Sequence, residues 1–300
     1  RFGSSITPLV NKGDRVRAGQ VIGRDDETIS APAIASVNGI VEDITHIDYY
    51  YGRVEAAIIK SDGTSESVKL PEATTDYKNL TFEKISELIY TSGAASLGKS
   101  GIPTIFKSSP ARPKSINDII ITTFGTGPFS LNETAILRGR ERDFYDGLAV
   151  LKRALPNAKV TIALDRRDKV LTKYMIDTIR RGSSAALAPD WIYVQPLEKK
   201  YPQESEDMLA RSILCKKIPV GGLGADVGVL ILDVDSVLRV SDAVVRGKPF
   251  IERTVAISGP ACVENKFVNL RIGVSLKEAL KNNIKESVKA RVIFGNMMTG

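Results

Sequence analysis

The chain has 300 residues, 43% of them hydrophobic and 26% charged, and a formal net charge of +7. That length holds two or three domains of roughly 100–200 residues each, and the balance is that of an ordinary soluble globular protein. The longest apolar stretches, such as VGVLIL at 227–232, fall far short of the ~20 residues needed to span a bilayer.

The positive charge by itself does not point to nucleic acid. The Lys and Arg are scattered, the block RGRERD at 138–143 mixes both signs, and a nucleic-acid footprint needs clustered basic residues. A surface facing anionic lipid or an acidic partner suits the charge equally well. The N-terminal RFGSSITPLVNKGD lacks the apolar core of a signal peptide and begins without Met, so the chain reads as a piece, or a processed form, of a cytoplasmic protein. Cys215 and Cys262 are the only cysteines and read as reduced thiols. An iron–sulfur cluster takes about four cysteine ligands, so this stretch does not hold a conventional one. His46 reads as an exposed loop residue, because no side chains of ligand type lie near it in the sequence.

Residues 1–70 read as short strands separated by turns at Asn11–Asp14 and Val37–Gly39. The spacings K-G-D-x-V-x-x-G-Q-V (12–21) and S-A-P-x-x-x-x-x-x-G-x-V (30–41) are similar to a lipoyl or barrel-sandwich module. The region where a carrier would present its lysine, ETISAPA, has none, so a structural barrel is expected. LPEATTDYKN (70–79) reads as a linker, 82–91 as a helix and SGAASLGKSGIPT (92–104) as a Gly/Ser-rich loop.

An α/β stretch follows. INDIIITTF (116–124), AKVTIALD (158–165) and WIYVQPL (191–197) read as strands. Helices are predicted over 131–155, with Ile136, Phe144, Leu148 and Leu151 on one face and a cap at Ser130/Asn132, and over 169–182. Alternation of this kind predicts a parallel, Rossmann-like sheet. From Arg253 the pattern becomes strand, strand, helix and strand, the last within ARVIFGNMMTG.

The block 197–253 holds YPQESE, PVGGLGADVGV and DAVVRGKPFIER in that order. It resembles the C subunit of Rnf-type ion-pumping electron-transport complexes (RnfC), whose relatives include the NqrA component of the sodium-pumping NADH:quinone reductase and, more distantly, the flavoprotein of respiratory complex I. The resemblance extends over essentially the whole chain. It implies a barrel-sandwich domain at 1–70, a flavin-type α/β domain at 71–252 and a β-grasp (SLBB) domain at 253–300. It also implies FMN and NADH as ligands, membrane subunits as partners, and a cytoplasmic location peripheral to the inner membrane. VIFGNMMTG is similar to the family's VIxGGPMMG, after which a cysteine-rich segment holding 4Fe–4S clusters normally begins.

The same resemblance implies which residues would hold the cofactor. A Gly-rich loop before F-P-T-x-x-K wraps the flavin phosphate in the family, because glycines let backbone N–H groups approach an anion. The matching stretch is SLGKSGIPTIFK, with Gly98, Thr104 and Lys107 in agreement and Lys99 at a glycine position, where it either fills the space or contacts the phosphate. Glu206 matches the carboxylate of YPQGGE, and Gly221 and Gly222 match the later Gly-Gly. Other positions depart. Thr122, Gly125 and Gly127 stand in TTFGTGP where the family has Asn and two Glu in N-A-A-E-C-E-P. Glu204 replaces a glycine, Gly224 a proline, and Asp233 an Asn that often faces the flavin. Lost carboxylates remove acceptors for ribose and ring N–H groups. The expectation is a membrane-peripheral electron-transport protein with a degenerate flavin/NADH pocket and no catalytic residue of its own. Two alternatives stay open at this level, an active FMN-dependent NADH-oxidising module and a docking module that holds partner subunits. Gly221, Gly222 and Asp226 also read simply as a turn into the VGVLIL strand.

Overall fold

A computed structural model of the chain describes residues 6–24, 32–49, 52–70, 72–94, 116–123, 125, 133–183, 189–286 and 288–295. The N-terminal strands are β1 (Thr7–Pro8), β2 (Arg15–Val16), β3 (Val21–Arg24), β4 (Ala33–Ile34), β5 (Gly39–Tyr49) and β6 (Gly52–Ser61). They form two three-stranded sheets, β1-β3-β4 and β2-β5-β6, around buried Val10, Val16, Ala35 and Val41. This is the barrel-sandwich arrangement expected. The turn at Asn11–Asp14 closes as the sequence predicts, with the Asp14 carboxylate accepting the Asn11 N–H at 2.7 Å and Gly13 at φ +95°. Asn38 is buried. Its carbonyl oxygen accepts the Ala18 N–H at 2.7 Å and its amide donates to Thr64 Oγ1 and the Glu66 carbonyl at 2.8 Å, so one side chain ties three segments of the barrel. His46 is exposed, as expected, but it lies inside β5 and not in a loop.

The central domain is built on a parallel sheet. Its strands are β7 (Asp118–Thr122), β8 (Lys159–Asp165), β9 (Ile192–Leu197) and β10 (Val229–Asp233), in the order β10-β7-β8-β9. Helix α1 (Phe82–Thr91) precedes the sheet; α2 (Glu141–Ala154), α3 (Lys169–Ser183) and α4 (Glu206–Leu214) connect its strands, and α5 (Val234–Val244) follows β10. Alternation along β7 sorts the two faces. Ile119 and Ile121 join the cluster made with Ile85, Phe144, Leu148, Met175 and Val237 from α1, α2, α3 and α5, while Ile120 faces Leu209 and Ala210 of α4. All five residues of β10 are buried, which is why VLILD reads as a continuous apolar run with no alternation. Each fully buried side chain of the size of Phe144 or Leu148 contributes roughly 1.5–3 kcal/mol.

One predicted helix is shorter than its apolar spacing suggests. Residues 133–136 form a single 3-10 turn and α2 begins only at Glu141. Gly139, at φ +76°, breaks the run between them. Helices α2 and α5 cross closely at Gly147, where an added Cβ would lie 2.3 Å from the Val237 carbonyl oxygen. Gly147→Ala is therefore expected to destabilise the fold by about 1–3 kcal/mol through overpacking, read as a lower urea midpoint at unchanged slope.

The segment after the barrel runs along the end of α5, with the Leu70 N–H donating to the Gly247 carbonyl at 2.8 Å and the Thr74 N–H to Val244 at 2.9 Å. Two further strands, β11 (Glu252–Ile257) and β12 (Lys266–Arg271), pair antiparallel and lead to the short helix α6 (Leu276–Ala279). The strand expected within 290–300 is not formed by the described residues of that stretch. Residues 288–293 have no regular structure, Val292, Ile293 and Phe294 are exposed, and 296–300 lie outside the described residues.

Candidate functional site

The sheet order places a topological switch point between β7 and β10: the chain moves from β7 to β8 and β9 on one side, then returns to β10 on the other. In open α/β sheets, ligands sit outside the carboxyl ends of the strands at such a point. The last residues of the two strands, Thr122 and Asp233, are direct partners in the ladder. Asp233 is buried and caps α5, its Oδ1 accepting the Ser236 N–H at 2.7 Å. Thr123, fully buried, donates its hydroxyl to the Ala163 carbonyl at 3.0 Å, and Gly125 follows two residues later.

From this crevice along α5 runs a chain of charges whose three carboxylates are buried. Arg239 of α5 sits between Asp235 at 3.3 Å and Asp242 at 3.4 Å, its guanidinium 5.0 Å from the centre of the Phe250 ring. Asp242 also meets Arg140 at 2.5 Å, Arg140 meets Asp143 at 2.9 Å, and Asp143 pairs with Arg246. Three carboxylates and three guanidiniums thus alternate from α5 to the start of α2. Burial pushes the Asp235 carboxyl above its ordinary range; Arg239 opposes the shift and the Asp233 charge adds to it. The Arg140 guanidinium is held protonated, burial being outweighed by Asp242 and Asp143.

The sequence-predicted site residues fall into two groups. Gly98, Lys99, Thr104 and Lys107, with Gly127, lie outside the described residues. Glu206, Gly221 and Gly222 are described. Glu206 opens α4, whose N-cap Ser205 accepts the Met208 N–H through its hydroxyl. YPQ (201–203) lies in turns beyond the end of β9 and leads into buried Glu204. After α4, Lys216 pairs with Asp118 at the start of β7, and the Ile218 N–H then donates to Asp207 in the first turn of α4 at 3.2 Å. The chain therefore climbs back along α4 and brings the Pro219–Leu223 turn toward Glu206. Gly221 adopts φ +73° there, and a Cβ on Gly222 would lie 2.9 Å from Asp226 Oδ2, the atom that accepts the Leu223 N–H. The positive φ of Gly221 favours glycine there, and Gly222 leaves room for the Asp226 carboxylate that holds the turn. The alternating Arg/Asp chain was not singled out from sequence; the Asp235–Arg239–Asp242 spacing on one helix face is the signal that points to its α5 half.

Three family models align along the chain in succession. The RnfC barrel sandwich hybrid domain matches residues 1–64, the Nuo51 FMN-binding domain 89–242 and the NQRA C-terminal domain 254–300. This chain belongs to the RnfC family. Among curated relatives of this RnfC-family chain, the C subunit of the proton-translocating ferredoxin:NAD(+) oxidoreductase complex of Clostridium ljungdahlii is 29% identical over 100% of the chain and 64% of its own length. The C subunit of the Na(+)-translocating ferredoxin:NAD(+) oxidoreductase complex of Acetobacterium woodii is 25% identical, with 100% and 66% covered. The C subunit of the ion-translocating oxidoreductase complex of Pseudomonas aeruginosa is 26% identical, with 100% and 38% covered. The chain thus spans no more than 66% of the length of these relatives. A crystal structure of NAD+-reducing [NiFe]-hydrogenase in the H2-reduced state shares the fold at TM-score 0.58 and 15% identity, over 68% of this chain and 39% of that one.

At the crevice, Asp233 presents acceptors where the family pattern has a donor, and the loop that would wrap a flavin phosphate lies outside the described residues. Where the family resemblance places an Asn, Asp233 offers only acceptor atoms, one of them already used to cap α5. Flavin carbonyls are acceptors too, so an ionised carboxylate beside them brings repulsion and no hydrogen bond.

Proposed function

We propose that the chain serves as a membrane-peripheral subunit of an Rnf-type ion-translocating electron-transport complex, in which the inherited flavin/NADH crevice is altered and no longer holds FMN in the family manner. Family membership and the relatives' roles as complex subunits support the first half of this reading. No helix among the described residues is long and apolar enough to cross a membrane. A single observation carries the second half: Thr122 and Asp233, two positions that depart from the family pattern, stand side by side at the switch point. Changes far apart in the sequence converge on the place where a flavin ring would lie.

With the pocket altered, this chain's own residues do structural work there. Asp233 holds the start of α5, Thr123 pins β7 to β8, and Arg239 ties α5 to the approach to β11 through Phe250. FMN, where a relative's pocket holds it, supplies exchange between two-electron and one-electron carriers. The experiment that tests the reading is FMN titration of the purified chain followed by flavin fluorescence, paired with an assay of NADH-dependent dye reduction.

A further inference from the structure

The parallel sheet carries a second feature at its carboxyl edge, on the far side of β8 from the crevice. Arg166, Lys169, Lys173, Arg180 and Thr172 line a groove of about 440 Å³ with Ile176, Asp177 and Pro196. Four cations face one carboxylate. Lys169, Lys173, Asp177 and Arg180 recur at helical spacing along α3, so the charges form a stripe of about 16 Å on one face. Arg166 and Arg167 share the Glu198 carboxylate, whereas Lys169, Lys173 and Arg180 have no ion-pair partner among the described residues. All four groove cations are exposed. Holding like charges together unpaired is costly to the fold, and no packing role among the described residues requires it.

We propose that this groove is a docking site for the acidic face of a partner protein. Its character separates that occupant from the others. Among the described residues only Ile176 and Pro196 line it with apolar side chains, and it is an open groove, whereas a small-molecule pocket buries most of its ligand. Its described lining has no aromatic residue on which single-stranded nucleic acid would stack. Val170 is the one strongly exposed apolar side chain on α3, which gives a bilayer little to bury. Pro196 blunts the edge strand β9 against addition of a further strand. What remains is a concave line of extended cations, matched by a row of Asp and Glu side chains. β9 lies two strands from β7, so a partner docked here sits roughly 10–15 Å from the switch-point crevice. The proposal stands independently of whether that crevice holds a flavin.

The test is binding of a fluorescein-labelled oligoglutamate peptide, followed by anisotropy at low and high salt. Charge reversal in the groove, K169E/K173E/R180E, is expected to weaken binding at least about tenfold, and added salt to weaken the wild type steeply. The variant K78E/K266E/K277E changes the net charge equally at exposed sites elsewhere and is expected to lose less than about threefold. Equal losses in the two variants would reduce the effect to net charge and overturn the proposal. So would groove-dependent binding of phosphatidylglycerol vesicles, inorganic pyrophosphate or duplex DNA with none of the peptide. Circular dichroism checks the fold, and the single variant Arg180→Ala, expected to weaken peptide binding measurably, keeps the question decidable if the triple variant unfolds.

Discussion

Replacing Arg239 with Leu is expected to cost about 3–5 kcal/mol of stability, because it leaves Asp235 and Asp242 buried without the cation between them. The size follows from burial. The Arg239 side chain is 11% exposed and Asp242 6% exposed, so solvent does little to replace the lost partner. Leu keeps most of the packing volume, which separates the charge effect from a cavity. The loss is expected to depend on pH. The Asp235 carboxyl is already raised above its unfolded value by burial, and removing Arg239 raises it further. A carboxyl raised in the folded state binds more protons there than in the unfolded chain, so its contribution to stability falls as pH rises from the unfolded value through the folded one. The gap between wild type and variant should therefore narrow on acidification toward the unfolded carboxylate range. Urea unfolding at neutral and mildly acidic pH measures it; a gap that widens in acid, or a loss under about 1 kcal/mol, contradicts this account of the network.

The second large effect concerns ligand affinity. Asp233→Asn is expected to tighten FMN binding by at least about tenfold at little cost to the fold. A unit charge about 5 Å from the roughly half-unit negative charge on a flavin carbonyl oxygen costs about 1.5 kcal/mol at an effective dielectric constant near 20, and tenfold in affinity needs about 1.4 kcal/mol. Asn keeps the side-chain oxygen that accepts the Ser236 N–H and is as good an N-cap as Asp, while its amide adds a donor for a flavin carbonyl. Asp233→Ala removes the cap as well and should lower stability by about 0.5–2 kcal/mol. Parallel FMN titrations and urea curves of the two variants separate the roles of charge and cap. Unchanged affinity in Asp233→Asn would show that the carboxylate is not what excludes the flavin.

Much of the fold is legible in the sequence because local signals agree with the tertiary answer. The β-branched run at 118–122 and the buried run at 229–233 had no reading other than strand, and the helices at 82–91 and 169–183 match their apolar spacing closely. The exception at 131–155 is instructive. Apolar periodicity continues through Gly139, but a residue at φ +76° cannot sit in a helix, and the break shows only in the backbone. At the carboxyl end, VIF has strand-like composition yet forms no strand among the described residues, since pairing depends on a neighbour and not on propensity.

The site was legible in parts. Residue types at Thr122 and Asp233 departed visibly from the family pattern, but their contact is hidden by the distance between them along the chain; it takes the strand order to make them partners. The same holds for the charge chain, in which Arg140 meets Asp242 and Arg246 meets Asp143 across |i−j| of 102 and 103. Gly221 and Gly222 carried two readings in the sequence, cofactor loop or turn. The φ of Gly221 and the close approach of Asp226 to Gly222 suit both residues to the turn.

The central claim is that an RnfC-family scaffold has been kept while its flavin crevice has been altered. FMN titration of the purified wild-type chain, with NADH-dependent dye reduction measured on the same sample, tests it most directly. No saturable quenching of flavin fluorescence at micromolar concentrations is predicted, and no dye reduction above the rate without protein. Micromolar FMN binding accompanied by NADH-dependent turnover would contradict it.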